Sequence, residues 1–479
     1  MKTYNDLQEV KTEAEKMEFV RTAINDHLAS PIYREGKTAY SYFCRRNETI
    51  VNYQKLLYTL SGEAVPDNFS ANYKFCNGFF PIFVKQEANY LLGNGVNFNE
   101  ADTKDRLGGD KFDETMVDIA KKSLWGGVAF GFVLDDDIAV FDITEFVPLV
   151  SEETGALMSG IRFWQISKDK PLRATLYELD GYTDYMWKDE EGEILSEKKY
   201  GQIVRTNEVG DYEILDGKNY PSFPIVPLWA NAEHQSELTG LREKIDGYDL
   251  IQSGLCNTID EASLVYWTVT NAGGMDDVDL AKFVERMKVV KAAVVDEQGS
   301  KAEAHTLNVP YQASQAALLD LRDSLYRDAM ALDTDKISSG SITATAIQAS
   351  YENLSLKCDD FETQVTTFIR AVLELLGIDD SPSYKRSRIV NAAEDTQMIL
   401  SAAQYLDDDT ILDHIPFLNP DEIEAIKEAK AQEEIDRFAS EQDTAVAFGE
   451  ELLAALDELL GDEMPIETEG EEEEKEVTE

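Results

Sequence analysis

The sequence predicts an α+β protein, mainly helical, and three observations carry that prediction. Short runs rich in β-branched and aromatic residues, separated by turn signals, fill the stretch from Val128 to Trp187. Apolar residues recur at helical spacing before that stretch and dominate from Ser236 onward. The hydrophobic share of 43% is ordinary for a globular chain, so its 479 residues can fill sizeable cores.

From the N-terminus, the first hundred residues read as mostly helical and aromatic-rich, with a polar break from Ser61 to Asn68. Val128 to Leu134, Ile138 to Phe141, Ile161 to Ile166, Ala174 to Leu179 and Tyr182 to Trp187 then read as strands of a meander. The turns between them are marked by Asp135-Asp136-Asp137, Glu153-Thr154-Gly155 and Glu190-Glu191-Gly192. The meander closes at Pro221, Pro224 and Pro227, which exclude a regular helix.

Beyond the prolines the period changes. Ser236 to Leu264 has a helical stripe at Leu238, Leu241, Ile245, Tyr248 and Gln252/Leu255, then Ile259. A glycine-marked insert follows from Asn271, with a strand-like run Val289 to Val295 and a turn at Asp296 to Ser300. Helical spacing returns from Tyr311 to Leu332, where Leu318, Leu321, Leu325 and Ala329 share one stripe. A polar segment, Asp333 to Thr345, interrupts it. The longest helix candidate then runs from Ala346 to Leu376, about 45 Å if unbroken, with Gly377 as its stop. Two or three further helices are expected between Asn391 and Leu460, and an acidic tail of disordered composition closes the chain.

The charge is lopsided: 93 acidic residues against 44 basic ones give −49. Gly461 to Glu479 hold ten acids and one lysine, and the chain without them keeps −40. A free-standing binder of DNA or anionic membrane normally shows the opposite sign, so any contact with nucleic acid is local or weak. The cysteines Cys44, Cys76, Cys256 and Cys358 are scattered, with no C-x-x-C pair, and read as free thiols in a reducing compartment. The N-terminal stretch lacks the apolar core of a signal peptide. The longest apolar run, Trp125 to Leu134, falls well short of a membrane span. A soluble, intracellular product is the expectation.

Catalytic motifs are not found. Gly36-Lys37-Thr38 ends like a phosphate loop, but the position that needs the first glycine is Pro31. His27, His234, His305 and His414 each stand alone, so no metal set is expected. Gly93-Asn94-Gly95 lacks the third glycine of a dinucleotide fingerprint. Asp135 to Asp137 and Asp407 to Asp409 read as solvated turns. No catalytic residue, metal or cofactor is assigned.

Five blocks occur in a recognisable order. Asn72 to Phe98 (NYKFCNGFFPIFVKQEANYLLGNGVNF) reads as an asparagine-marked aromatic helix running through Tyr90-Leu91-Leu92-Gly93 into a short strand. Leu124 to Asp135 is a glycine-bearing helix end and a strand. Pro224 to Leu228 precedes Ile245-Asp246-Gly247-Tyr248-Asp249, Ser253, Asn257 and Asp260-Glu261. Ser339-Gly340-Ser341 leads into Thr345-Ala346-Ile347, and Ala403 to Glu424 carries Leu406, Thr410, Ile411 and Pro416. This set, spanning roughly residues 30 to 430, resembles the portal (head–tail connector) proteins of tailed bacteriophages, siphovirus type, from phages of Gram-positive bacteria. Gly95 stands where that family often has proline, and Pro81 falls inside the helix.

The resemblance implies a portal fold with β-containing wing, helical stem, small α/β clip and helical crown, assembled as a ring of about twelve subunits. Residues 1–235 would be wing, 236–264 the first stem helix, with Ile245, Asp246, Tyr248, Asp249, Ser253 and Asn257, and 265–310 the clip. Residues 311–332 would be the second stem helix, with Leu318, Leu321 and Leu325. Residues 333–345 would form a tunnel loop in which Asp333, Thr334, Asp335, Lys336, Ile337, Ser338, Ser339, Gly340 and Ser341 face the DNA channel. Residues 346–377 would be the long spine helix, 378–461 the crown, and 462–479 the acidic tail. The ring would conduct double-stranded DNA, without sequence specificity, during packaging and ejection. It would dock the terminase large subunit and then the head–tail adaptor, contact capsid and scaffold proteins, and nucleate procapsid assembly. Its place would be the portal vertex of the virion, and the host cytoplasm during assembly, with no membrane contact.

Other readings are an acidic adaptor or DNA mimic, or a packaging-associated enzyme. The acidity itself has two readings. A negative wall would repel a duplex evenly and let it slide, or the charge simply keeps a large assembly soluble. Lys336, between Asp333/Asp335 and Ser338/Ser339, either touches phosphates transiently or pairs with its own aspartates.

Overall fold

A computed structural model of the chain describes residues 2–58, 62–68, 70–100, 102–134, 137–188, 191–200, 202–206, 212–216, 220–262, 266–270, 301–305, 309–338 and 348–387, with isolated positions at 282 and beyond 398. Two compact units divide at Arg388/Ile389. Helix exceeds strand among the described residues, in an α+β arrangement.

The N-terminal helices are set by their caps. Helices α1 (Tyr4–Glu9) and α2 (Glu13–Ala29) both start with capping boxes, Thr3 with Asp6 and Thr12 with Glu15. Ser30 caps α3 (Pro31–Phe43), whose first residue is a proline with no N–H to waste. A short helix, α4 (Glu48–Val51), leads to a two-stranded ribbon, β1 (Leu56–Tyr58) and β2 (Ala64–Pro66).

Residues 71–78 are extended, not helical, so only the second part of the Asn72 to Phe98 block is helix. Helix α5 spans Phe79–Leu92. Pro81 is its third residue, in the first turn, where the missing N–H breaks no intrahelical bond. After strand β3 (Val96–Asn97) come α6 (Thr103–Arg106) and α7 (Asp110–Gly126). Gly127, at φ +82°, turns α7 directly into strand β4, Val128–Leu134.

Strand β4 is the centre of a three-stranded sheet, with β5 (Asp137–Asp142) on one side and the Pro224-bounded β13 (Ile225–Trp229) on the other. Gly131 of β4 lets the Phe368 ring close on the sheet, since a Cβ there would lie 2.7 Å from it. The meander is a five-stranded antiparallel sheet of β6 (Phe146–Val150), β7 (Leu157–Trp164), β8 (Leu172–Tyr177), β9 (Gly181–Lys188) and β10 (Glu191–Lys199). Tyr185 and Trp187 of β9 point inward and pack with Ile161, Leu176, Phe19 and Ile24 of α2. Strand β6, charged β10, and the ribbon β11 (Gln202–Thr206) with β12 (Tyr212–Asp216) were not picked out from the sequence. Ile166 falls outside β7 and is exposed.

The second half holds α8 (Arg242–Ala262), β14 (Tyr266–Thr270) paired with β15 (Lys301–His305), α9 (Tyr311–Asp328), α10 (Thr334–Ser338) and α11 (Glu352–Leu376). Several boundaries differ from the sequence expectation. Residues 236–241 are turns preceding α8, and the polar segment begins with the helical turn α10. A turn at Tyr351 precedes α11, so the long helix is shorter than expected. Gly377, at φ +66°, ends it as anticipated. The run Val289 to Val295 and its turn lie outside the described residues. One core joins α5, α7 and α11 to the β4 sheet through Phe80, Phe83, Phe112, Phe130, Phe361 and Phe368.

Residues 378–387 return to the N-terminal elements. Strand β16 (Ser383–Tyr384) pairs with β3, and Ser387 donates its N–H to the Tyr90 carbonyl at 2.9 Å. The Asp380 carboxylate accepts from the N–H groups of Asn99 and Glu100 and from Thr103 Oγ1 at 2.7–3.1 Å, fastening the turn that leads into α6. In the second unit residues 425–432 are helical and Leu412 is buried. Most of the expected crown, and the acidic tail, lie outside the described residues.

Candidate functional site

Helix α8 carries buried polar residues at a four-residue repeat: Asp249, Ser253 and Asn257, following buried Ile245. Such a repeat puts their side chains in one ridge. Extended residues 71–78 lie along that ridge as a strap. Asn257 Oδ1 accepts the Tyr73 N–H at 2.7 Å, Ser253 Oγ the Phe75 N–H at 3.0 Å, and Asp249 Oδ1 the Asn77 N–H at 3.0 Å. The match is metrical. Four helical residues rise about 6 Å, and two extended residues about 6.6 Å. A side-chain ladder thus replaces the backbone ladder that a neighbouring strand would supply.

Asp249 is the node. Its Oδ1 also takes the Asn77 side-chain amide at 2.6 Å, and its Oδ2 takes Asn47 Nδ2 at 2.9 Å. Burial pushes the Asp249 carboxyl above its ordinary range, while the bonds from Asn77 and Asn47 pull against that rise. Next to it, Asp246 accepts from the Tyr42 hydroxyl. The predicted stem residues Asp246, Asp249, Ser253 and Asn257 are therefore brought together as the seam between α8 and the N-terminal segment. That role requires residues 73–77, for which the sequence predicts a helix and the structure shows none.

The other side of α8 meets α9. Lys244 donates to Ser324 Oγ at 2.9 Å and pairs with Asp328, and Leu321 lies beside Gly247. Leu325 is fully buried, and Tyr326 packs edge-on to Phe79 and Phe83. Tyr248 meets Phe79 at 4.9 Å, while Leu318 is only half-buried. So Leu325 anchors the predicted stripe, and Leu318 sits at its edge.

Helix α9 ends in two bonds that close its last turn, Ala331 N–H to the Tyr326 carbonyl and Met330 N–H to the Arg327 carbonyl. Met330 takes the left-handed conformation usually left to glycine, at φ +52°. Gln86 of α5 then grips Leu332 by both its backbone groups, at 2.9 and 3.0 Å.

The segment that follows is fastened at its base. Arg322 reaches Asp333 at 2.8 Å and Asp335 at 2.6 Å, and Lys336 pairs with Asp323 of α9 at 2.9 Å. The pair that Lys336 makes at 2.9 Å is with Asp323 of the preceding helix, an aspartate outside its own segment. The Lys336 bond holds the Asp323 carboxyl below its ordinary range. Thr334 is exposed, Ile337 and Ser338 belong to α10, and Ser339, Gly340 and Ser341 lie outside the described residues.

Sequence reasoning missed a buried triad beside this segment. Lys357 of α11 sits 2.7 Å from Glu87 of α5 and 2.6 Å from Glu237 in the turns before α8. Burial pushes the Glu87 carboxyl up to about 7; Lys357 opposes the rise and Glu237 adds to it. Burial alone would lower Lys357, but the two carboxylates outweigh it and hold the ammonium above its ordinary range. A Glu inside the aromatic α5 was the available signal, since such a residue is rarely buried unless paired.

The weaker motifs resolve simply. Gly36, Lys37 and Thr38 lie within α3. His27 is buried with Nε2 2.8 Å from the Ile143 carbonyl, and burial lowers its pKa. The four cysteines are unpaired. Among the described residues no group of three or more His, Cys, Asp or Glu is placed to hold a metal ion, and no helix is long and apolar enough to cross a membrane.

A family model described as phage portal protein, SPP1 Gp6-like, matches residues 36–436. The portal protein of Bacillus phage SPP1 is 22% identical over 457 residues, covering 88% of this chain and 87% of its own. The portal protein of Clostridium phage phiCD119 is 26% identical over 210 residues, covering 42% of this chain and 46% of its own, so that match spans under half of the relative. Among solved structures, a chain from the virion of a native gene transfer agent particle aligns with 12% identity and a TM-score of 0.43, covering 70% of this chain and 88% of that one. A chain from the neck of an empty particle of the same kind aligns with 10% identity and a TM-score of 0.42, at the same coverage.

Proposed function

The chain belongs to the SPP1 Gp6-like family of phage portal proteins, and we propose that it acts as one subunit of a closed ring that conducts double-stranded DNA through a single capsid vertex. The supporting observation is an ordered set of elements: α8, an insert whose two ends pair as β14 and β15, α9 packed back on α8, a polar segment fastened at its base, and the long α11. A helix pair bracketing an insert suits a stem crossing a capsid wall, with the insert as clip. The polar segment suits a tunnel loop, and α11 a spine.

In this reading the terminase large subunit, and later the head–tail adaptor, dock on the insert 265–310. The protein takes part in packaging and ejection by geometry, with ATP hydrolysis left to the terminase, and has no catalytic role of its own. The pairing of Arg322 and Lys336 with Asp333, Asp335 and Asp323 bears on how DNA would pass. Both cations at the loop base are engaged by carboxylates, so a duplex would meet little unbalanced positive charge to hold it through counterion release.

Two measurements test the proposal. Negative-stain microscopy with light scattering of the full chain should show annular particles of several subunits; a compact monomer at micromolar concentration would count decisively against the ring. Deleting Asp333 to Thr343 should leave rings intact while packaging or retention of DNA fails. Unimpaired packaging by that variant would remove the loop from the DNA path.

A further inference from the structure

Two neighbouring residues of α5 take hold of the chain at one spot. Gln86 grips both backbone groups of Leu332, while Glu87 faces Lys357 of α11. The Lys357 ammonium has three N–H groups, and three acceptors stand round it: Glu87, Glu237 and the carbonyl of Ala329, the last at 3.3 Å. That carbonyl lies at the end of α9, where helix geometry leaves it without an intrahelical partner. A cation from another helix supplies the bond.

The Leu332 side chain is held by the same two helices. It is 5% exposed, in a small buried cluster with Tyr90 of α5 and with Tyr351, Leu354 and Cys358 at the start of α11, apart from the main core. Tyr351 stacks on Tyr90 with 5.6 Å between ring centroids, and Tyr90 Oη lies 2.8 Å from Ser355 Oγ. Leu332 is the last residue before the polar segment, and Tyr351 directly precedes α11. The chain therefore leaves and re-enters this body at one socket. Between the held residues Ala329 and Leu332, Met330 keeps a left-handed backbone, a conformation that persists where the surroundings fix it.

The contacts toward α9 are of a weaker kind. Lys336 and Asp323 are 61% and 55% exposed, and Asp335 is 76% exposed opposite Arg322. Water screens such pairs, and long exposed side chains are easily re-oriented. The buried holds from α5 and α11 have no such freedom.

We propose that Gln86, Tyr90 and Lys357 are the positioning residues of the polar segment: acting from α5 and α11, they clamp the end of α9 and the start of α11 into one socket and so fix where the base of the segment stands. This rests on the tunnel-loop reading above and deepens it. In a ring, the height of the loop base along the channel would be set by α5 and α11, with the exposed pairs to α9 as an accessory.

Hydrogen exchange on the full chain, resolved to single amides, tests the clamp. The N–H groups of Ala331 and Ser355 lie on the two sides of the socket and bond the Tyr326 and Tyr351 carbonyls. Lys357→Met with Glu87→Gln removes the clamp without leaving Glu87 as a lone buried ion. Both amides should then exchange at least tenfold faster, while α7 amides keep their wild-type rates. Unchanged rates at Ala331 and Ser355, or equal acceleration in α7, overturn the proposal. If that variant does not fold, Gln86→Ala decides: acceleration must spread from Leu332 to Ala331 and Ser355, and a change at Leu332 alone overturns the clamp. Lys336→Ala, which loses only an exposed pair, should leave both amides within twofold of wild type. Acceleration there as large as in the clamp variant would move the hold to α9 and overturn the proposal. The readout needs neither ring nor DNA, so a failed clamp leaves the ring reading standing, and a failed ring leaves the clamp.

Discussion

The five-stranded sheet and the strap on α8 solve one problem by different means. Both must cover a face of a helix, α2 in one case and α8 in the other. The sheet does so with apolar layers: Leu176, Tyr185 and Trp187 against Phe19 and Ile24, with backbone groups paired strand to strand. The strap has no strand beside it, and α8 has no spare backbone donors or acceptors along its middle. Its N–H groups are met by Asp249, Ser253 and Asn257 at a helical repeat that fits an extended chain. Apolar burial is non-directional and tolerates a change of shape. A row of three acceptors matched to three donors fixes register and does not.

The contrast can be broken at four points. Leu176→Ala should cost the sheet region about 2–5 kcal/mol, read by urea unfolding, because a fully buried leucine leaves a cavity. A loss below 1 kcal/mol would mean that the sheet does not depend on its apolar layer. Asp249→Ala should cost about 1–3 kcal/mol by leaving donors of Asn77 and Asn47 without their acceptor. Hydrogen exchange at the amides of Tyr73, Phe75 and Asn77 should rise in that variant while β7–β9 amides stay protected. Equal acceleration in both regions would erase the distinction.

The third point is pH. Glu87 has a folded pKa of about 7 against an ordinary 4.5, so between those values the folded chain holds a proton that the unfolded chain has released. Folding stability should fall as pH rises through that window, and the melting temperature with it. Glu87→Gln should flatten the slope between about pH 5 and pH 7. An unaltered slope would show that Glu87 is ionised throughout. The smallest effect belongs to Lys336→Ala, which removes a largely exposed ion pair with Asp323 and should leave the urea unfolding midpoint unchanged within error.

What could be read in the sequence follows the same divide. The strands of the meander showed through because Thr183, Tyr185 and Trp187 alternate with more exposed neighbours. The edge strand β10 did not, since its Glu and Lys residues look like a solvated turn while serving as a charged sheet edge. Helices α8, α9 and α11 were legible from apolar period, and Gly377 from its place after the last apolar residue. The ladder was hidden for a physical reason: a backbone N–H has no side-chain signature, and Asn72 to Phe75 resemble the start of the aromatic helix they precede. The triad of Glu87, Glu237 and Lys357 was hidden because its members are far apart in the chain.

Residues 380–387 bring out a consequence for synthesis. Asp380 fastens the turn before α6, Tyr384 pairs with Val96, and Ser387 bonds Tyr90, so three places near residue 100 are completed by residues added nearly three hundred positions later. A ribosome adding about 5–20 residues each second reaches them only after a lag on the order of tens of seconds. Throughout that interval the nascent N-terminal half would carry a loose turn before α6 and an unpaired edge at β3. The first unit of this chain is thus completed only once residue 387 has been added.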